Sequence, residues 1–325
     1  MITVLCGGVG GAKLVDGLAA VLPDPSRLTV IVNTADDWDL WGLRICPDVD
    51  TVLYTLAGIV SPDRGWGIDG DTWAALDTLG RYGFPTWFRI GDRDMATHVA
   101  RTAWLRSGRR LTEVTRSLGE ALGVAPRVLP MCDESVATIV HTPAGALPFQ
   151  EYFVARGAAD RVHGIEFEGI AEARPTREVL DAVHAARVIV VAPSNPLVSI
   201  GPILALSGMR DALARSPALR IAVTPLVAGR ALKGPTVEML EGLGMPADPA
   251  GVAGLYREFL DVFILDVRDR PAVAEVVSAG PGGPPLSVEI ADTVMDDVAA
   301  RRRLAREMLR IATTHGASLP PEDAP

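Results

Sequence analysis

Two groups of residues within the first fifty positions could do chemistry together. One is a glycine turn, Gly7-Gly8-Val9-Gly10-Gly11; the other is an acid cluster, Asp36, Asp37, Asp39, Asp48 and Asp50. Glycines permit positive φ and let a ligand touch the backbone, and a helix that starts at such a turn offers unpaired N–H groups to an anion. Carboxylates nearby are oxygen ligands for a divalent cation, which would offset phosphate charge. The pairing predicts a phosphate-and-metal site.

Such a site needs strands that bring both groups to one edge. The turn follows Ile2-Thr3-Val4-Leu5, a β-branched apolar run, and precedes residues 12–22, whose apolar positions recur at helical spacing. Thr29-Val30-Ile31-Val32 reads as the next strand and ends in Asn33-Thr34-Ala35-Asp36-Asp37. Strand, loop and helix in that order place both loops at the ligand-binding edge of a parallel sheet. Residues 50–58 read as a helix capped near the aspartate and stopped by Gly58. Helices are expected over 71–82, 93–107 and 112–122. Strands at 127–129, 137–141 and 146–154, with a turn at 142–145, suggest a small β insertion.

Farther on, Val188-Ile189-Val190-Val191-Ala192 and Ile221-Ala222-Val223-Thr224 are continuous apolar runs, as expected of strands covered by helices on both faces. Their loops carry Ser194, Asn195 and Ser199 in one case and Lys233 in the other. Residues 262–266 give a further strand, 278–285 a surface loop and 292–312 a final helix. The expected fold class is α/β: a Rossmann-like, mainly parallel sheet flanked by helices, forming one domain over 1–325 with an inserted helical and small β subdomain at about 61–155.

Two standard phosphate loops fit imperfectly. A Walker loop needs Gly-Lys-Ser/Thr, but Lys13 follows Ala12 and precedes Leu14, so no hydroxyl is there for magnesium. The dinucleotide fingerprint fits Gly8 and Gly10 but puts Lys13 where a third glycine belongs, with Asp36 as the ribose-binding acid. An NAD-dependent oxidoreductase and a turn used only for packing stand as alternatives. The net charge of −9 argues against a protein that tracks nucleic acid, since that affinity comes from many basic residues releasing counterions. No run of eighteen apolar residues is present to span a membrane. The amino terminus lacks a basic flank and Asp16 interrupts its apolar region, so a cytoplasmic protein is expected. Cys6, Cys46 and Cys132 have no metal or disulfide spacing.

Several further motifs stand along the chain: Asn33-Thr34-Ala35-Asp36-Asp37, Pro47-Asp48-Val49-Asp50-Thr51-Val52-Leu53-Tyr54, Gly91-Asp92-Arg93-Asp94-Met95-Ala96-Thr97-His98, Pro193-Ser194-Asn195-Pro196 with Ser199-Ile200-Gly201-Pro202, and Phe259-Leu260-Asp261-Val262-Phe263. Together they resemble the 2-phospho-L-lactate transferase and phosphoenolpyruvate transferase family of coenzyme F420 biosynthesis. The resemblance implies transfer of a phospholactyl or phosphoenolpyruvyl group from a guanosine diphosphate-activated donor to the terminal ribityl hydroxyl of the deazaflavin Fo, with release of GMP. It also implies Mg2+ and a homodimer. Asp50 and Arg89 map to the family's deazaflavin-binding positions. The chemistry agrees, because phosphoryl transfer needs charge neutralisation and in-line positioning more than a covalent nucleophile.

On that reading Asp36, Asp48 and Asp50 are the expected metal ligands, and Asp36, Asp37 or Asp50 orients or deprotonates the attacking hydroxyl. Gly8, Gly10, Gly11, Lys13, Asp50, Arg89, Asp92, Arg93, Ser194, Asn195 and Ser199 are the expected substrate-binding residues. Each has a plainer role available. Asp48 and Asp50 could cap a helix, Asp92 and Arg93 could form a helix-start charge cluster, and Ser194, Asn195 and Ser199 could satisfy a proline-rich loop. Lys13 could be a solvated helix lysine, and His98 a packed or solvated histidine. Trp38, Trp41, Trp66 and Trp87 offer faces to a planar ring. A nucleotide-sugar-binding regulator of the same fold is the closest rival.

Overall fold

The computed structural model describes residues 1–279 and 286–318. Its centre is a sheet of seven strands: β1 (Ile2–Cys6), β2 (Leu28–Val32), β3 (Arg127–Pro130), β4 (Val188–Val191), β5 (Leu219–Val223), β6 (Val262–Asp266) and β7 (Ser287–Ala291). In space they run β7-β6-β5-β4-β1-β2-β3, and every pairing is parallel. This is a doubly wound, Rossmann-like order, in which the chain steps outward from β1 to β3 and then returns to β4. All five residues of β1 are buried, because layers cover both faces. Alternate side chains divide between them: Ile2, Val4 and Cys6 join one apolar layer, and Leu5 the other.

Helix α1 (Gly8–Val21) begins four residues before the expected start. Glycine's weak helix propensity hides this first turn, which close packing demands. A Cβ on Gly10 would lie 2.5 Å from the Pro193 carbonyl oxygen, and one on Gly11 would lie 2.6 Å from Cys6 Cβ and 2.7 Å from Ser194 Oγ. Helix α2 (Pro47–Leu56) starts with Pro47, whose missing N–H costs nothing there. Cys46 is its N-cap, so Asp48 and Asp50 sit inside the first turn and do not cap it as expected. Helices α3 (Ala74–Arg81), α4 (Asp92–Arg106) and α5 (Leu111–Ala121) fall near their expected positions.

Two strands differ from expectation. The run at 127–129 belongs not to a small β insertion but to the main sheet, as edge strand β3 beside β2. The chain therefore regains the central sheet within residues 61–155. A separate antiparallel sheet is built from Gly145–Pro148, Ala137–Thr142 and Gly164–Glu168. The strand expected to run to residue 154 stops at Pro148 and gives way to the π-helical turn Glu151–Ala155, which turns Tyr152 onto Phe149 in a local core. Strand β7 was not expected. Of the expected loop 278–285, residues 280–285 lie outside the described residues. The final helix is Val298–Thr314, capped by Asp297, whose carboxylate accepts from the Ala300 N–H at 2.7 Å. No helix among the described residues is long and apolar enough to cross a membrane.

Candidate functional site at the sheet switch point

Between β1 and β4 the strand order reverses, and the loops leaving their C-terminal ends meet. Ser194 clasps the glycine turn: its hydroxyl donates to the Gly7 carbonyl at 2.7 Å and accepts from the Gly7 N–H at 3.2 Å. Asn195 turns its own loop, its side-chain oxygen accepting from the N–H groups of Leu197 at 2.9 Å and Val198 at 3.3 Å. Ser199 presses on the turn, since a Cβ on Gly7 would lie 2.8 Å from Ser199 Cβ. These residues shape the crevice mainly through its backbone.

Asn33, at the end of β2, is the spacer of the acid cluster. Its buried amide donates to Asp36 Oδ2 at 3.1 Å, Asp48 Oδ2 at 3.0 Å and the Val198 carbonyl at 3.2 Å, while its oxygen accepts from the Ala35 N–H at 3.0 Å. One amide thus holds two carboxylates side by side across the loops after β2, β4 and the hairpin before α2. Asp48 also overhangs the glycine turn, accepting from the Gly8 backbone N–H. A Cβ on Gly7 would stand 2.5 Å from Asp48 Oδ2, which is why glycine is needed there.

The acids are buried and short of donors. Asp36, Asp37 and Asp48 are 6%, 3% and 8% exposed. Among the described residues, no donor meets Asp36 Oδ1 or either Asp37 carboxylate oxygen in good hydrogen-bond geometry, although the Thr138 hydroxyl lies near Asp36 and the Cys46 thiol near Asp37. Burial pushes the Asp36 carboxyl well above its ordinary range and the neighbouring Asp48 charge pushes the same way; Thr138 and Asn33 only temper this. Asp48 is raised by burial against the Asn33 and Gly8 donors. Asp37 is pushed up to about 7 by burial, in spite of Arg44, the Cys46 thiol and Arg101. A buried carboxylate without donors is costly unless a cation or proton accompanies it. These residues fit a divalent cation, and magnesium needs only one or two carboxylates when phosphate oxygens and water supply the rest.

Asp50 faces elsewhere. Its Oδ2 accepts from Arg101 Nη1 at 3.0 Å, its Oδ1 meets Arg101 Nη2, and His98 Nδ1 lies 3.7 Å away. Asp50, Asp94 and His98 bring ligand atoms within 4.8 Å of one another. Yet Arg101 and Tyr54, whose hydroxyl donates to Asp94 Oδ1 at 2.7 Å, already satisfy this group. Asp92 is likewise occupied: it accepts from the Thr72 hydroxyl at 2.5 Å and the N–H groups of Ala74 at 3.0 Å and Ala75 at 2.8 Å, tying α4 to the start of α3. Those bonds, led by Thr72, lower its pKa. Arg93 binds the Asp69 carbonyl and lies 4.0 Å from Asp71.

The cations make contacts of their own. Lys13 donates to the Met295 carbonyl at 2.9 Å, and burial, with help from Arg301 and Lys233, lowers its pKa. Arg89 is exposed and lies over the Trp73 ring at 4.3 Å, with Arg64 5.4 Å from the same ring. Trp73 was not singled out by sequence. Trp38 packs on Trp87 at 5.0 Å and Phe88 at 5.3 Å, Trp41 donates to the Pro85 carbonyl at 3.2 Å, and Trp66 carries Arg64 at 5.3 Å. The structure therefore brings together Asp36, Asp48, the glycines, Ser194 and Ser199, and sets Asp50, Asp92 and Arg93 in hydrogen-bonded networks of their own. Asn33 and Arg101 were missed as site residues. Asn33 stands in a quoted motif, and Arg101 lies seven residues after Asp94 and three after His98, on one helical face.

A doubly wound α/β protein with a cation-receptive acid pair at its switch point is the class these features define. A family model described as 2-phospho-L-lactate transferase CofD matches residues 2–306. The chain is 37% identical over 311 residues to the 2-phospho-L-lactate transferase of Methanosarcina acetivorans, covering 96% of this chain and 99% of that one. It is 39% identical over 317 residues to the phosphoenolpyruvate transferase of Kitasatospora aureofaciens, covering 96% and 97%. It is 40% identical over 312 residues to the 2-phospho-L-lactate transferase of Methanospirillum hungatei, covering 95% and 99%. The chain belongs to the 2-phospho-L-lactate transferase CofD family. Among solved structures, a UPF0052 family member from Bacillus halodurans shares the fold, with a TM-score of 0.60 at 16% identity over 95% of this chain and 98% of that one.

Proposed function

We propose that the protein transfers a phospholactyl or phosphoenolpyruvyl group from a guanosine diphosphate-activated donor to the terminal ribityl hydroxyl of Fo, forming a phosphodiester and releasing GMP. Family membership supports the reaction class. The observation that carries the site assignment is the Asn33-held pair Asp36 and Asp48 above the glycine turn, among the buried, donor-poor carboxylate oxygens of Asp36 and Asp37.

In this reading Asp36 and Asp48 would hold Mg2+. The bound ion would neutralise diphosphate charge and polarise the phosphorus under attack. Asp48 already occupies the Gly8 N–H, so an anion approaching the turn meets a carboxylate and depends on that cation. Asp37 is suited to accept the proton of the Fo hydroxyl on a carboxylate oxygen, because its pKa of about 7 lies near neutrality. Lys13 faces the donor's charge, and Ser194, Asn195 and Ser199 fix the opposing loop. Arg89, stacked on Trp73, offers a guanidinium face to the deazaflavin. We also assign a cytoplasmic location and a homodimer, the latter testable by light scattering.

Purified protein incubated with Mg2+, Fo and each donor in turn should yield GMP and a product whose mass identifies the donor by two hydrogens. Folded protein that yields neither product with either donor rejects the assignment.

A further inference from the structure

We propose that Arg101 is a positioning residue for transfer, and that Asp50 serves it as a counter-ion instead of ligating metal. The inference rests on the transferase reading above and concerns how the chain holds its site. Arg101 is the largest fully buried side chain among the described residues, and an arginine can be kept there only if paired. Asp50 supplies that pairing through both carboxylate oxygens. A carboxylate forked on a guanidinium has few lone pairs left for a cation.

The network reaches farther than one pair. Arg101 Nη1 donates to His98 Nδ1 at 3.1 Å, which makes Nδ1 the acceptor and leaves the ring proton on Nε2, 3.3 Å from Asp94 Oδ1. Tyr54 closes the chain on Asp94. Asp94, His98 and Arg101 are one face of α4, and Asp50 and Tyr54 are one face of α2. Arg101 Nη1 also reaches the Arg44 carbonyl at 3.4 Å, and Thr102 Oγ accepts from the Arg44 N–H at 2.8 Å. Arg44 lies in the hairpin formed by Trp38–Leu40 and Leu43–Ile45, which begins directly after Asp37. Arg101 thus anchors the return strand of the hairpin whose first residue follows Asp37 in the acid cluster. Asp36 is held independently, by Asn33 at the end of β2.

The test separates a counter-ion from a ligand. Mn2+ alone, titrated by its paramagnetic resonance signal, reports the metal site without any substrate. Asp50→Asn and Arg101→Lys should each bind Mn2+ within about threefold of the parent, whereas Asp36→Asn should weaken it tenfold or more. Asp50→Asn, Arg101→Lys and Arg101→Gln should each lower kcat tenfold or more. The neutral double variant Asp50→Asn/Arg101→Gln leaves no buried charge unpaired; its kcat should fall within about threefold of Asp50→Asn alone, because the two residues act as one unit. Multiplied losses in the double variant, unchanged turnover in Arg101→Lys, or tenfold weaker Mn2+ binding in Asp50→Asn would each overturn the proposal, as would a parent protein that does not bind Mn2+. A parent that binds Mn2+ but turns over neither donor sinks the transferase reading, while the Asp50→Asn titration still decides the role of Asp50.

Discussion

Asp266 and Asp36 both follow from the ends of parallel strands and are both buried, yet the chain treats them in opposite ways. Asp266, the last residue of β6, accepts from the N–H groups of Arg268 and Thr293 at 2.9 Å each, from the Thr293 hydroxyl at 2.8 Å and from the Arg268 guanidinium at 3.0 Å. Burial alone would raise its pKa, but these donors outweigh burial and hold it below the usual carboxylate range. Asp36, beyond the end of β2, receives one amide hydrogen bond from Asn33 and keeps an oxygen that no donor meets in good geometry. Where a carboxylate serves to join β6 to the loop after β7, donors surround it. At the switch point donors are fewer, and the buried carboxyl there takes a proton unless a cation accompanies it.

The sharpest way to break this contrast is to neutralise Asp36. Asp36→Asn should lower kcat by about a thousandfold or more, roughly 4 kcal/mol of transition-state stabilisation, without lowering the thermal midpoint. A variant that melts early would make Asp36 a structural acid like Asp266. The reverse should hold for Asp266→Ala, which strands the Thr293 and Arg268 donors. It should destabilise by about 3 kcal/mol in urea unfolding, while turnover per folded molecule stays within about threefold.

A third measurement uses pH. A carboxyl whose folded pKa is raised favours the folded state below its unfolded value, and that contribution is lost as pH climbs through the folded value. For Asp37, at about 7, the loss spans roughly pH 4 to 7. Metal-free Asp37→Asn should therefore match the parent near pH 4 and exceed its stability near pH 8, by something on the order of 4 kcal/mol. Equal stability at both pH values would show that Asp37 is not strained by its surroundings. The smallest effect is expected at Glu178, which Arg110 holds down at about 2 from an exposed surface. A depressed carboxyl contributes above its unfolded value, so Glu178→Gln should cost less than about 1 kcal/mol above pH 5, and the difference should fade as pH falls toward 2.

Much of the sheet could be read from β1, β2, β4, β5 and β6, because strands covered on both faces must be short continuous apolar runs. The edge strands were harder. β7 has Glu289 in its middle and half-buried positions along most of its length, so its apolar run is broken. β3 looked like a strand, but four residues say nothing about which neighbour they pair with. The start of α1 was hidden because its first turn is glycine, chosen for clearance from Pro193 and Cys6 and not for helix propensity. In the site, Asp36, Asp37 and Asp48 were legible from their proximity along the chain. Asp50 was legible as an acid but not as an ion pair, because its partner Arg101 is brought up by a different helix. Only the spacing of Asp94, His98 and Arg101 on one face of α4 pointed toward it.

The placement of β1 has a consequence for synthesis. β1 lies in the interior of the sheet, between β2 and β4, and β4 does not begin until residue 188, long after β1 has left the ribosome. Until then the nascent chain can pair β1 only with β2, leaving an open apolar edge beside the glycine turn. Pairings this distant close slowly and leave such edges prone to aggregation. Chaperone dependence should therefore be greatest for chains arrested before β4 emerges and should drop once that strand clears the exit tunnel.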